Sequence, residues 1–84
     1  MKVCLCYTTN DNIMASFGPT WGVSLPNRPV RIDHMLEATE EAGGSWKFEN
    51  ADGEGFRIHP KKQAVHNGHL VVTTANSTYI FRIM

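Results

Sequence analysis

The clearest alternation of apolar and polar positions runs from Gly55 to the end of the chain. Gly55–His59, Gln63–His66, His69–Thr74 and Tyr79–Ile83 each read as a strand, and short turns join them. Asn67-Gly68 separates the second strand from the third. This dipeptide is a strong two-residue hairpin signal, because both central residues of a type I′ turn need positive φ. The turn sets His66 opposite His69 and Val65 opposite Leu70. The next turn falls within Ala75–Thr78. A loop of even length there places Val65, Leu70, Val72, Tyr79, Phe81 and Ile83 together on the core face. A loop of odd length would split that set, since a one-residue slip reverses every side chain. The outer face carries His66, His69, Val71, Ile80 and Arg82. Val71 and Ile80 are apolar, so a covered face is expected there, with a homodimer as one way to cover it.

Nearer the N-terminus, Val3, Leu5 and Tyr7 alternate with Lys2, Cys4, Cys6 and Thr8, the pattern of a strand with one apolar side. Thr9–Asn12 reads as a turn. Ile13–Leu25 has no clear period. Phe17-Gly18-Pro19 interrupts it, and Trp21–Leu25 fits a short strand. Pro26 and Pro29 exclude a continuous central strand in that region. A helix is predicted from Asp33 to Ala42, with Asp33 as N-cap and Gly43-Gly44 as the stop. On that helix Met35, Ala38, Thr39 and Ala42 share one side, and Asp33, Glu37, Glu40 and Glu41 share the other. Ser45–Glu49 is the next strand, with Trp46 and Phe48 on one face. Asn50–Glu54 turns the chain, and Phe56 and Ile58 resume the alternation. The expected fold is a single small α+β domain over residues 1–84. It has one mainly antiparallel sheet of five or six strands with a single short helix packed on one face.

Eighty-four residues with a formal net charge of zero exert no global pull on nucleic acid or an anionic membrane. No apolar run approaches the ~20 residues of a membrane-spanning helix. The opening Met-Lys-Val-Cys-Leu-Cys-Tyr turns polar too soon for a signal peptide. Cys4 and Cys6 sit two apart on a strand, with Cα atoms about 6.5–7 Å apart, at the outer limit for a disulfide. Both are read as free thiols in a reducing, cytoplasmic setting.

The charges are segregated along the chain. From Asp33 to Glu54 there are seven acids and one base, a net of −6. The remainder has seven bases and one acid, a net of +6. Glu37 and Glu41 would repel each other on the predicted helix by roughly 0.2–0.5 kcal/mol. A local rule broken without compensation points to a functional surface. The leading expectation is therefore a non-enzymatic binding protein whose acidic helix face (Asp33, Glu37, Glu40, Glu41) occludes a protein partner with a basic surface. Phage- and plasmid-encoded inhibitors of host nucleic-acid machinery include small domains of this kind, an analogy from size and missing motifs only. The plainer alternative is a solvated helix face neutralised by Arg28, Arg31 or Arg57.

A second expectation is nucleic-acid binding through Arg57, Lys61 and Lys62, with Trp46, Phe48 and Phe56 as stacking surfaces. Against it, so small a domain needs those aromatics in its core. A third candidate is a metal site joining Cys4 and Cys6 to His66 and His69, should the first strand lie beside the C-terminal hairpin. Neither spacing matches a zinc signature. No cofactor motif, nucleophile elbow, phosphate loop or His-Glu-x-x-His occurs, so neither a cofactor nor an enzyme is expected.

Overall fold

The computed structural model describes residues 1–18 and 35–84. Seven strands and one helix make up the described residues, in the order β1 (Lys2–Thr8), α1 (Asp11–Phe17), β2 (Met35–Glu40), β3 (Trp46–Glu49), β4 (Gly55–Ile58), β5 (Lys62–His66), β6 (His69–Thr73) and β7 (Thr78–Ile83). They form one sheet ordered β4-β3-β2-β1-β7-β6-β5, and every neighbouring pair is antiparallel. The expected antiparallel sheet with a short helix is present, but with seven strands rather than five or six.

The two edge strands, β4 and β5, are consecutive in the chain. Only His59, Pro60 and Lys61 lie between them. Four peptide steps reach at most about 14 Å. The edges of a flat seven-stranded sheet are six strand spacings apart, about 29 Å. The sheet must therefore roll until its edges meet. Strand sense alternates along the order, so β4 and β5 run the same way. Together they act as one strand bent at Pro60, its first part paired with β3 and its second with β6. Counted so, the roll has six strands, an even number, which allows antiparallel pairing all round.

Contacts across the interior show the roll. The rings of Phe48 on β3 and Phe81 on β7 stack with centroids 4.2 Å apart, although β2 and β1 separate these strands in the sheet. Trp46 Nε1 donates to Gln63 Oε1 at 2.7 Å, joining β3 to β5 across the opening. The Ser45 hydroxyl meets His59 Nδ1 at 2.8 Å and fastens the start of β3 to the bend. Inside lie Val3, Leu5, Leu36, Ala38, Phe48, Ile58, Leu70, Val72, Tyr79 and Phe81. Ile13 and Phe17 of α1 pack against this core, Phe17 with its ring 5.0 Å from that of Phe56. Asn10 caps the helix by accepting from the Ile13 amide.

The C-terminal strands follow the expected register. Asn67 and Gly68 have φ of 50° and 77°, His66 pairs with His69, and Val65 pairs with Leu70. Thr73 pairs with Thr78 across a loop of even length, and Leu70, Val72, Tyr79 and Phe81 are buried. Helix α1 arises where a turn and a stretch without period were expected, and two other expectations fail. The helix expected over 33–42 is absent from its described part. Residues 35–40 are strand β2, with Leu36 and Ala38 buried and Glu37 and Thr39 facing out. Met, Leu, Glu and Ala favour helix, but β1 and β3 supply ladder partners on both sides, and tertiary pairing overrides the propensity. Gly43 and Gly44, with φ of 86° and 84°, turn the β2–β3 hairpin instead of ending a helix. The second failure is in β1, where a bulge between Leu5 and Tyr7 shifts the register. Beyond it Thr8 is buried and Tyr7 is exposed, the reverse of strict alternation. The short strand expected at Trp21–Leu25, and Pro26 and Pro29, lie outside the described residues.

Gly55 supplies a test of this packing. A Cβ there would collide with the Phe48 carbonyl oxygen, which is backbone and has no rotamer to yield. Gly55→Ala should destabilise the fold by about 1–3 kcal/mol in denaturant unfolding, the cost of overpacking. Wild-type stability in that variant would contradict the close β3–β4 approach.

Candidate partner-binding surface

The outside of the roll has two unlike halves. On β1, β2, β3 and β4 the outward residues include Lys2, Glu37, Lys47, Glu49 and Arg57. The register sets Glu37 opposite Glu49 and Lys47 opposite Arg57, both like-charge pairs that oppose pairing. Opposite charges beside them offset this. Lys2 Nζ lies 3.4 Å from Glu37 Oε2, and the Met1 ammonium lies 3.2 Å from Glu37 Oε1. Lys47 Nζ reaches Glu49 Oε2 at 3.3 Å. Arg57 Nε donates to Glu41 Oε1 at 2.9 Å. The hydrogen bond and charge of the Met1 ammonium, with help from Lys2, hold the Glu37 carboxyl below the usual carboxylate range.

These contacts change the reading of the acids. Glu37 lies on a strand and Glu41 in the turn after it, and bases of the same chain match both. Glu40 ends β2, is exposed, and has no ion-pair partner among the described residues. Asp33 lies outside the described residues. Among the described residues folding offsets part of the −6/+6 split, because it sets β2 beside Lys2 of β1 and brings Arg57 to Glu41.

The other half comprises β5, β6, β7 and the far part of β1. Its register lines up three rows. His66, His69, Arg82 and Cys4 form one, in which Cys4 is buried. Ala64, Val71, Ile80 and Tyr7 form the apolar row beside it, with Tyr7 40% exposed. Lys62, Thr73 and Thr78 form the third. Lys62, Gln63, Ala64, Val71 and Thr73 line an open groove of about 340 Å³. No Asp or Glu occurs anywhere in residues 55–84, which carry Arg57, Lys61, Lys62 and Arg82. All five residues of β5 are exposed, Val65 at 66%. Tyr7 and Val65 were not legible as surface residues. The bulge that turns Tyr7 outward has no local signature, and Val65 is exposed because β5 is an edge strand.

The proposed cysteine–histidine constellation does not assemble. Strand β7 lies between β1 and β6, so Cys4 and His69 are two strand spacings apart, about 9.6 Å, with Arg82 between them. No group of three or more metal-ligating side chains occurs among the described residues. Cys4 and Cys6 are free thiols. Burial and the neighbouring Cys6 push the Cys4 thiol up to about 11, against the opposing pull of Arg82. Of the candidate nucleic-acid residues, Arg57 is engaged by Glu41, whereas Lys61 and Lys62 are exposed at the start of β5. Phe48 is fully buried, and Trp46 and Phe56 pack against the core, so they form no stacking platform. No helix among the described residues is long and apolar enough to cross a membrane. Comparison of the chain with protein-family models, with curated proteins and with solved structures gives no match.

Two measurements follow from these contacts. Burial pushes the Cys4 thiol from its ordinary value of 9.0 up to about 11 in the fold. Between those values the unfolded chain binds fewer protons, so stability falls as pH rises. Cys4→Ala should flatten that fall in urea melts compared across pH 8 to 11, and an identical slope would contradict the buried thiol. In a double-mutant cycle, Glu41 and Arg57 should couple by about 0.2–1 kcal/mol at low salt and less in high salt, as exposed pairs do. A coupling that is absent at low salt would leave Glu41 unmatched.

Proposed function

We propose that the chain is a small non-enzymatic binding protein that occludes an acidic segment of a protein partner with the outside of β5, β6 and β7. The observation that carries this reading is the lack of any acid in residues 55–84, where Lys61, Lys62 and Arg82 border an apolar row. Charge complementarity of this kind selects partners and speeds their encounter. The same observation reverses the sign of the partner expected from the sequence. Bases of the chain itself already engage Glu37 and Glu41, which weakens the case for a basic partner docking on those two residues.

Nucleic acid is the second reading, favoured by the exposed Lys61 and Lys62 and weakened by the burial of the aromatics. One experiment separates the two. Lys61, Lys62 and Arg82 are changed together to Glu, and the capture of protein from extract of the source cells is measured with and without nuclease. The proposal expects capture to fall about tenfold or more in the variant, to survive nuclease, and to be unaffected by Glu37→Gln, Glu40→Gln and Glu41→Gln. Equal capture by the charge-reversed chain would remove this surface from the account. Loss on nuclease treatment would transfer the role to nucleic acid.

A further inference from the structure

The edge of β5 limits how such a segment docks. In a two-residue hairpin the residues flanking the turn exchange both backbone hydrogen bonds, and the pattern then alternates. His66 and His69 flank the turn, so His66, Ala64 and Lys62 direct their N–H and C=O groups toward β6. The Lys61 amide also donates to the Thr73 carbonyl at 2.7 Å, which closes the β6 side of the strand. Gln63 and Val65 therefore direct their N–H and C=O groups the other way, off the edge of the sheet. Across that edge β4 offers no ladder, because it runs on into β5. Two donors and two acceptors stand there in strand geometry on a fully exposed strand, without a backbone partner among the described residues. Edge strands are often blocked by proline, inward-pointing charge or a covering element. Here Pro60 and Lys61 guard only the entry, and Gln63, Ala64 and Val65 are uncharged.

We propose that β5 takes up an extended, acidic protein segment as an additional antiparallel strand, and that its register sets a sequence preference. This inference rests on the reading of the acid-free surface given above and adds the mode of binding. A residue opposite Val65 meets an exposed apolar side chain on the inner side. The residue after it, opposite Ala64, faces the outer side and the groove beside Val71. The next, opposite Gln63, faces the inner side beside the Gln63 amide that Trp46 engages, and no charge is required of it. The one after that, opposite Lys62, faces the outer side beside an ammonium group and is acidic. Read from its N-terminus, the segment is apolar, apolar, any residue, acidic. A second copy of β5 fits less well, since antiparallel self-pairing about Ala64 sets Lys62 against His66 and supplies no acid.

The test uses the whole chain, labelled with ¹⁵N, and an end-blocked octapeptide with Val-Val-Thr-Glu at its centre. Binding is read from amide shifts during titration. The proposal expects shifts concentrated at Gln63 and Val65. It also expects affinity to drop about tenfold or more when the glutamate is replaced by lysine. N-methylation of the peptide residues opposite Val65 and Gln63 should abolish binding, and N-methylation of the residue opposite Ala64 should not. Val65→Pro should act like the first modification while β5 keeps its bonds to β6, because proline is tolerated where a strand N–H faces solvent. The methylated peptides decide the matter even if that variant fails to fold. Binding that requires the glutamate but ignores every N-methyl group would overturn strand addition and leave the acid-binding surface standing. No binding of the octapeptide at all would overturn this inference, and the charge-reversal experiment would still judge the surface on its own.

Discussion

Three residues determine the shape of this protein. His59, Pro60 and Lys61 carry the chain from one edge of a seven-stranded sheet to the other, a span that a flat sheet would make about twice as long as the link can reach. Every strand must curl inward to satisfy that link. The curl brings Phe48 onto Phe81 and Trp46 onto Gln63, and it encloses a core that an open sheet of this size would leave wet on one face. Proline suits the bend. It has no N–H to lose from either ladder, and its fixed φ breaks the strand where the pairing partner changes.

The same closure sorts the surface. Folding β2 and β3 between β1 and β4 sets the acidic stretch against Lys2, Lys47 and Arg57, so that Glu37, Glu49 and Glu41 are each paired within the chain. The half built from β5, β6 and β7 receives no acid, because residues 55–84 contain none. The bend has a second consequence. One strand serves two partners in succession, so neither part has a neighbour on its other side among the described strands, and β5 is left as an exposed edge.

How much of this could be read from the sequence depended on how local each feature is. The Asn67-Gly68 hairpin and the inward set on β6 and β7 were legible, because a type I′ turn and an alternation of period two are settled by adjacent residues. Strand β2 was misread. Five of its six residues favour helix, and a Gly-Gly pair ends a helix as readily as it turns a hairpin. Only the flanking strands decide between those outcomes. The Cys6 bulge reverses the last part of β1 for reasons of register with β7, about seventy positions away in the chain. The candidate site suffered most, because charge rows depend on strand order. Arg57 was legible in the sequence as a neutralising base and the sheet pairs it with Glu41, whereas the contact of Lys2 with Glu37 follows from strand order alone. Pro60 was the one sequence trace of the closure, and nothing near it reveals that β4 and β5 run in the same direction.

An unpaired β5 edge, formed by closure at a bend, is the central claim, and amide hydrogen exchange measures it residue by residue. If the account is correct, the amides of Ala64 and His66 are protected by their bonds to β6, and those of Gln63 and Val65 exchange about a hundredfold faster or more. Equal protection along all four residues would mean that the edge is covered, and would contradict both the proposed seam and the surface argued from it.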